Sequence, residues 1–119
     1  MSDVVLNPAD LERHIQEISR RIHDGVKVVT AAERDAREKR RLYDRAFALA
    51  YQAYDGPAHE KKYGAEVATT EERAAAEIAE VAFRHAERTA RALENELRAT
   101  QSIGASIRAM YAGERGFGG

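Results

Sequence analysis

Residues 78–110 read IAEVAFRHAERTARALENELRATQSIGASIRAM, and this stretch decides the fold. Ile78, Ala82, Ala86, Thr89, Leu93, Leu97, Thr100, Ile103, Ile107 and Met110 follow one another at steps of three and four. That spacing puts them on one face of an α-helix. A second line, Phe83, Ala90, Leu97, Gly104 and Tyr111, runs beside Ala86, Leu93, Thr100 and Ile107. The first half of the chain repeats the pattern with Leu11, Ile15, Ile18, Ile22, Val26 and Val29, then Tyr43, Phe47, Ala50 and Tyr54. Two long amphipathic helices follow, each with a seam that must be buried.

The boundaries come from capping and breaking residues. Residues 1–7 read as a flexible lead. Asn7-Pro8 opens the first helix, because Asn accepts from orphan N–H groups and Pro is pre-shaped for the first helical position. Asp10 and Glu12 favour the positive end of the helix dipole. Asp24-Gly25 and Thr30-Ala31-Ala32-Glu33 offer a competing stop and start. Against a break, Ile15, Ile22, Val29, Ala36, Tyr43 and Ala50 keep one seven-residue phase straight through Gly25. A lone glycine inside a helix costs only about 1 kcal/mol relative to alanine. One helix from Pro8 to Tyr54 is therefore expected, bent near Gly25.

Asp55-Gly56-Pro57 is the clear break, since Pro57 cannot continue a helix but can begin one. A short helix to about Ala68 should follow, with Tyr63 and Val67 facing inward. Thr69 and Glu72 have the spacing of a capping box for a second long helix from about residue 70. That helix should run to Ala112, and residues 113–119 read as a glycine-rich flexible tail. The expected fold is all-α: residues 8–112 as a long, coiled-coil-like antiparallel hairpin with a short helix at its tip. A hairpin alone buries little surface, so it is expected to assemble into a helical bundle, with a homodimer the simplest form. Leu11, Ile15, Ile18, Ile22, Leu93, Leu97, Ile103 and Ile107 are the expected oligomer seam.

Composition narrows the function. Of 119 residues 33% are charged, with 19 basic against 20 acidic, and there is no cysteine. Disulfides and thiolate metal sites are excluded. Near-neutral charge argues against a general nucleic-acid binder. Neither a membrane span nor the pattern of a signal peptide is present, which reads as a cytoplasmic protein. His14, His23, His59 and His85 lack the spacing of a helical metal site, and no Glu-x-x-His occurs. No metal, cofactor or catalytic residue is assigned, and an enzyme is not expected. The carboxylates read as helix-stabilising partners of basic residues, as in Glu33 with Arg37, Asp44 with Lys39, Glu87 with Arg91 and Glu94 with Arg98.

Two groups carry functional expectations. Tyr43, Phe47, Tyr51, Tyr54 and Tyr63 cluster toward the tip, as a packed core or as a patch for a protein partner. Arg34, Arg37, Arg41 and Arg45 share a stripe that could track a phosphate backbone. Glu33, Asp35, Glu38 and Asp44 dilute that stripe, so nucleic acid is the alternative rather than the main reading.

The stretches Tyr43–Tyr51 (YDRAFALAY), Gly56–Tyr63 (GPAHEKKY), Ala79–Ala86 (AEVAFRHA) and Ala99–Ser106 (ATQSIGAS) resemble small helical proteins encoded by phages and prophages of actinobacteria. The resemblance covers most of the chain and carries no defined activity. It implies an accessory role beside phage replication or recombination functions in a bacterial host, and no functional residues follow from it.

Overall fold

The computed structural model describes residues 7–118, with side chains through Gly113. Of the expected lead at 1–7, residues 1–6 lie outside the described residues. Three α-helices follow in order: α1 (Pro8–Ala53), α2 (Lys61–Ala68) and α3 (Thr70–Gly118), with a 3-10 turn at Ala58–Glu60 before α2. No strand occurs among the described residues.

The start of α1 is capped as its sequence predicts. Asn7 Oδ1 accepts the backbone N–H of Asp10 at 2.8 Å, and the Asn7 amide reaches back to the Asp10 carboxylate. Gly25 does not interrupt the helix, and no glycine among the described residues has a positive φ. At the other end α3 passes the expected stop at Ala112 and reaches Gly118. Glycine weakens a helix there but does not end it. No proline follows Ala112 in the chain, and no glycine among the described residues takes the left-handed conformation of a helix cap.

The chain divides into two compact units, one of Met1–Val26 with Arg88–Gly119 and one of Lys27–Glu87. In both, α1 and α3 run antiparallel. In the terminal unit Leu11 packs over Gly104, while His14 Nε2 lies 3.7 Å from Glu96 Oε1. In the hairpin unit Ala36 lies beside Glu80 and Phe83, and Leu42 beside Glu71 and Ala75.

Burial along each helix follows a heptad. On α1 the line runs through Leu11, Ile15, Ile18, Ile22, Gly25, Val29, Ala32, Ala36, Lys39, Tyr43, Ala46 and Ala50, with Asp10, His14, Glu33 and Phe47 part-covered beside it. On α3 it runs through Glu72, Ala76, Ala79, Phe83, Ala86, Ala90, Leu93, Leu97, Thr100, Gly104 and Ile107, with Ala75 and Glu87 part-covered beside it. Steps alternate between four and three, the spacing of coiled-coil a and d positions. The two lines read side by side in α3 are thus the two columns of one seam, and their width does not itself call for a further helix.

This corrects the expected stripe by one residue at several places. Val26, Ile78, Ala82, Thr89, Ile103 and Met110 are exposed, while their neighbours Gly25, Ala79, Phe83, Ala90 and Gly104 are covered. One residue is about 100° of helical rotation. At Gly25, Ala79, Ala90 and Gly104 the covered residue is the smaller of the two, which lets the helix backbones approach closely, whereas at Phe83 the seam takes the larger. The hairpin register places Lys39 and Leu42 beside Glu71, Glu72 and Ala75 at the start of α3, because α2 occupies the space beside the end of α1.

Candidate functional site

The tip is built from Tyr54 outward. Its ring lies against Gly56 and Gly64, where a Cβ would collide with it. Its hydroxyl donates to Glu60 Oε2 at 3.0 Å. That hydrogen bond, then burial and the carboxylate charge, raises the phenol pKa above its ordinary value. Ala65 of α2 is fully buried, whereas Tyr63 and Val67 point outward at 65% and 78% exposure, the reverse of their expected orientation. Alanine and glycine fit the narrow gap beneath α2, and larger side chains are turned away from it.

Thr69 does not form the expected capping box with Glu72. Its hydroxyl donates back to the Ala65 carbonyl at 2.7 Å, and its own carbonyl accepts the Arg73 N–H at 3.0 Å. A single residue separates α2 from α3, so Thr69 serves as the C-cap of the first. Its side chain satisfies a carbonyl of α2, leaving no oxygen aimed at the N–H groups of α3.

The other expected aromatics form a ladder along α1. Tyr43 and Phe47 meet edge to face with centroids 6.2 Å apart, and Phe47 and Tyr51 follow at 6.4 Å. Arg40 lies 5.8 Å from the Tyr43 ring centre and Lys61 lies 5.6 Å from that of Tyr51. These cation–ring contacts were not anticipated. Their signal was present as basic residues one helical turn before Tyr43 and across the break from Tyr51.

Arg37, Arg40, Arg41, Glu80, Phe83, Arg84 and Ala36 line a cleft of about 410 Å³ between α1 and α3 of the hairpin unit. Its guanidiniums are largely matched. Arg37 pairs with Glu33 at 2.8 Å and Arg40 with Asp44 at 3.4 Å. Arg84 pairs with Glu80 at 2.8 Å and Glu87 at 3.0 Å. Only Arg41 is left over, so the cleft focuses little positive potential. No hydroxyl, thiol or imidazole lines it. Its chemistry is that of a binding surface.

Of the expected arginine stripe, all four side chains are exposed. Arg34, Arg41 and Arg45 have no ion pair among the described residues. Two expected pairings are replaced: Lys39 bonds Asp35 at 3.2 Å, leaving Asp44 to Arg40, and Glu87 takes Arg84 rather than Arg91. Lys39 and Asp44 are five residues apart, which is off one helical face.

The expected oligomer seam also changes meaning. Leu11, Ile18 and Leu93 are buried, and Ile15, Ile22, Leu97 and Ile107 are half-buried, within the terminal unit of a single chain. Only Ile103 of the eight is exposed. These residues are covered by the hairpin itself. Large apolar side chains are left uncovered in both units, Val26, Ile103 and Met110 in the terminal unit and Leu42, Leu49, Ile78 and Val81 in the hairpin unit among them.

Among the described residues no group of three or more His, Cys, Asp or Glu side chains comes together to hold a metal ion, and no helix is long and apolar enough to cross a membrane. No family model matches the chain, and no curated protein and no solved structure matches it.

Proposed function

We propose that this chain is a non-enzymatic helical interaction protein that works as a homo-oligomer and holds a protein partner at its tip. The observation that carries this reading is the set of apolar side chains outside the heptad seam. Leu42, Leu49, Ile78 and Val81 are each at least half exposed although the same helices have already buried one seam. Fully burying such a side chain is worth about 1.5–3 kcal/mol. Single exposed leucines are ordinary, but an uncovered apolar pair on each of two helices gives association a surface to cover. At the tip, Tyr51, Tyr63 and Val67 offer aromatic and apolar surface beside Lys61 and Lys62, a composition suited to a protein partner. The resemblance to phage and prophage proteins agrees with an accessory role in the cytoplasm of a bacterial host. Sedimentation equilibrium of the unmodified chain tests the reading. An oligomer at micromolar concentration is expected, and a stable monomer at all concentrations overturns it.

A second reading, contact with nucleic acid, is favoured by Arg34, Arg41 and Arg45, which have no carboxylate partner among the described residues. The matched charges of the neighbouring cleft weigh against it. Steep weakening of binding with salt is its signature.

A further inference from the structure

We infer that α1 carries a built-in joint at residues 23–30, a segment that opens locally while the helix on either side of it stays folded. The joint belongs to one helix of one chain and does not depend on the oligomeric reading.

Residues 23–30 read HDGVKVVT. Seven of these eight residues are poor helix formers, Lys27 being the exception. Val26, Val28, Val29 and Thr30 lose side-chain freedom against the preceding turn, and Gly25 is the poorest helix former after proline. Residues 31–42 read AAERDAREKRRL, where only Asp35 is a weak helix former. The middle of α1 is thus held in helix by its surroundings rather than by its own residues.

Those surroundings are thin. On α1 no residue between Ile18 and Ala36 is buried. Ile22, Gly25, Val29 and Ala32 keep the seam there, each only half-buried. A Cβ on Gly25 would meet nothing within 4 Å, so the seam is unfilled at that position. Val26 and Val28 are 62% and 61% exposed and add little packing. The ion pairs along α1 lapse over the same stretch. Arg20 with Asp24 at 3.3 Å is the last before it, Glu33 with Arg37 at 2.8 Å is the first after it, and Lys27 has none among the described residues.

A segment opens where its own helix propensity is low and where few buried apolar contacts must be given up. Both conditions meet at 23–30. Ile18 on one side and Ala36 on the other are buried and anchor their parts of the helix. The boundary between the two compact units crosses α1 after Val26, inside the same eight residues. On α3 the run without a buried residue, 80–92, is rich in Ala, Arg and Glu and keeps its helix by propensity. The joint is therefore a property of α1.

Hydrogen–deuterium exchange of the full chain, followed amide by amide, tests this. After correction for intrinsic rates, the amides of residues 26–30 should exchange about tenfold or more faster than those of 15–20 and 36–46. Gly25→Ala with Val28→Ala raises helix propensity at one unfilled and one exposed site, and should slow exchange at 26–30 about tenfold. Ile18→Val loosens the seam without touching the joint. It should speed exchange at 15–20 about threefold or more and leave 26–30 nearly unchanged. Equal protection at 26–30 and in the flanking segments overturns the joint. So does equal acceleration of 15–20 and 26–30 by Ile18→Val, because the segment would then open only when its surroundings unfold with it.

Discussion

Two glycines behave in opposite ways. A methyl group placed on Gly25 meets nothing within 4 Å, although the residue lies on the seam of α1. Gly25→Ala should therefore add helix propensity without a clash, raising stability by about 0.5–1 kcal/mol in chemical denaturation. Gly64 is the contrary case, because its Cβ would enter the Tyr54 ring. Gly64→Ala should lower stability by about 1–3 kcal/mol through overpacking that outweighs the propensity gain. Ile18 and Ile103 are separated by burial rather than size. Ile18 is fully buried and Ile103 is 53% exposed. Ile18→Glu puts an unpaired carboxylate into the seam and should melt the terminal unit, whereas Ile103→Glu should leave the helical circular dichroism signal and its melting curve nearly unchanged.

At the scale of elements, the end of α1 is tied to the turn before α2 by one hydrogen bond. The Tyr54 hydroxyl donates to Glu60, which holds its pKa above the usual 10.0. A group whose pKa is raised by folding contributes stability that is present below its unfolded pKa and lost as pH rises through the folded one. Deprotonation removes the donor and sets a phenolate against a carboxylate. The tip should thus loosen above about pH 10, seen as an alkaline drop in thermal stability. Tyr54→Phe should remove the part of that drop owed to Tyr54 and flatten the alkaline profile. The junction of α2 and α3 is held differently, through the Thr69 hydroxyl and its nearly continuous backbone hydrogen bonds.

For the molecule as a whole, charge decides what it attracts. The formal net charge is −1, and the arginines of the α1–α3 cleft are mostly answered by carboxylates within 3.4 Å. We expect no binding to single- or double-stranded DNA tighter than about micromolar near ~150 mM salt, measured by fluorescence anisotropy. A nanomolar, salt-sensitive transition that vanishes in an Arg37→Ala, Arg41→Ala, Arg45→Ala variant would establish the nucleic-acid reading instead. The cation–ring ladder of Arg40, Tyr43, Phe47, Tyr51 and Lys61 makes that measurement informative, because such ladders also stack bases.

Local chemistry alone determined the helical class, the Asn7 cap, the break at Asp55-Gly56-Pro57 and the passage of α1 through Gly25. Each depends on neighbours within about one turn of chain or on a repeat that any reader of the residues can phase. Tertiary structure decided which of two adjacent columns is the seam. Ile78 and Ala79, or Ile103 and Gly104, differ by one residue, and hydrophobicity favours the larger of each pair. Close packing of two backbones favours the smaller, a preference that exists only once the second helix is in place. The same holds at the tip, where Gly64 and Ala65 face inward and Tyr63 and Val67 outward because Tyr54 and the end of α1 already fill the gap. It holds for the shallow groove at the start of α3 too, since Leu42 borders Glu71 and Ala75 only through the register of α1 on α3.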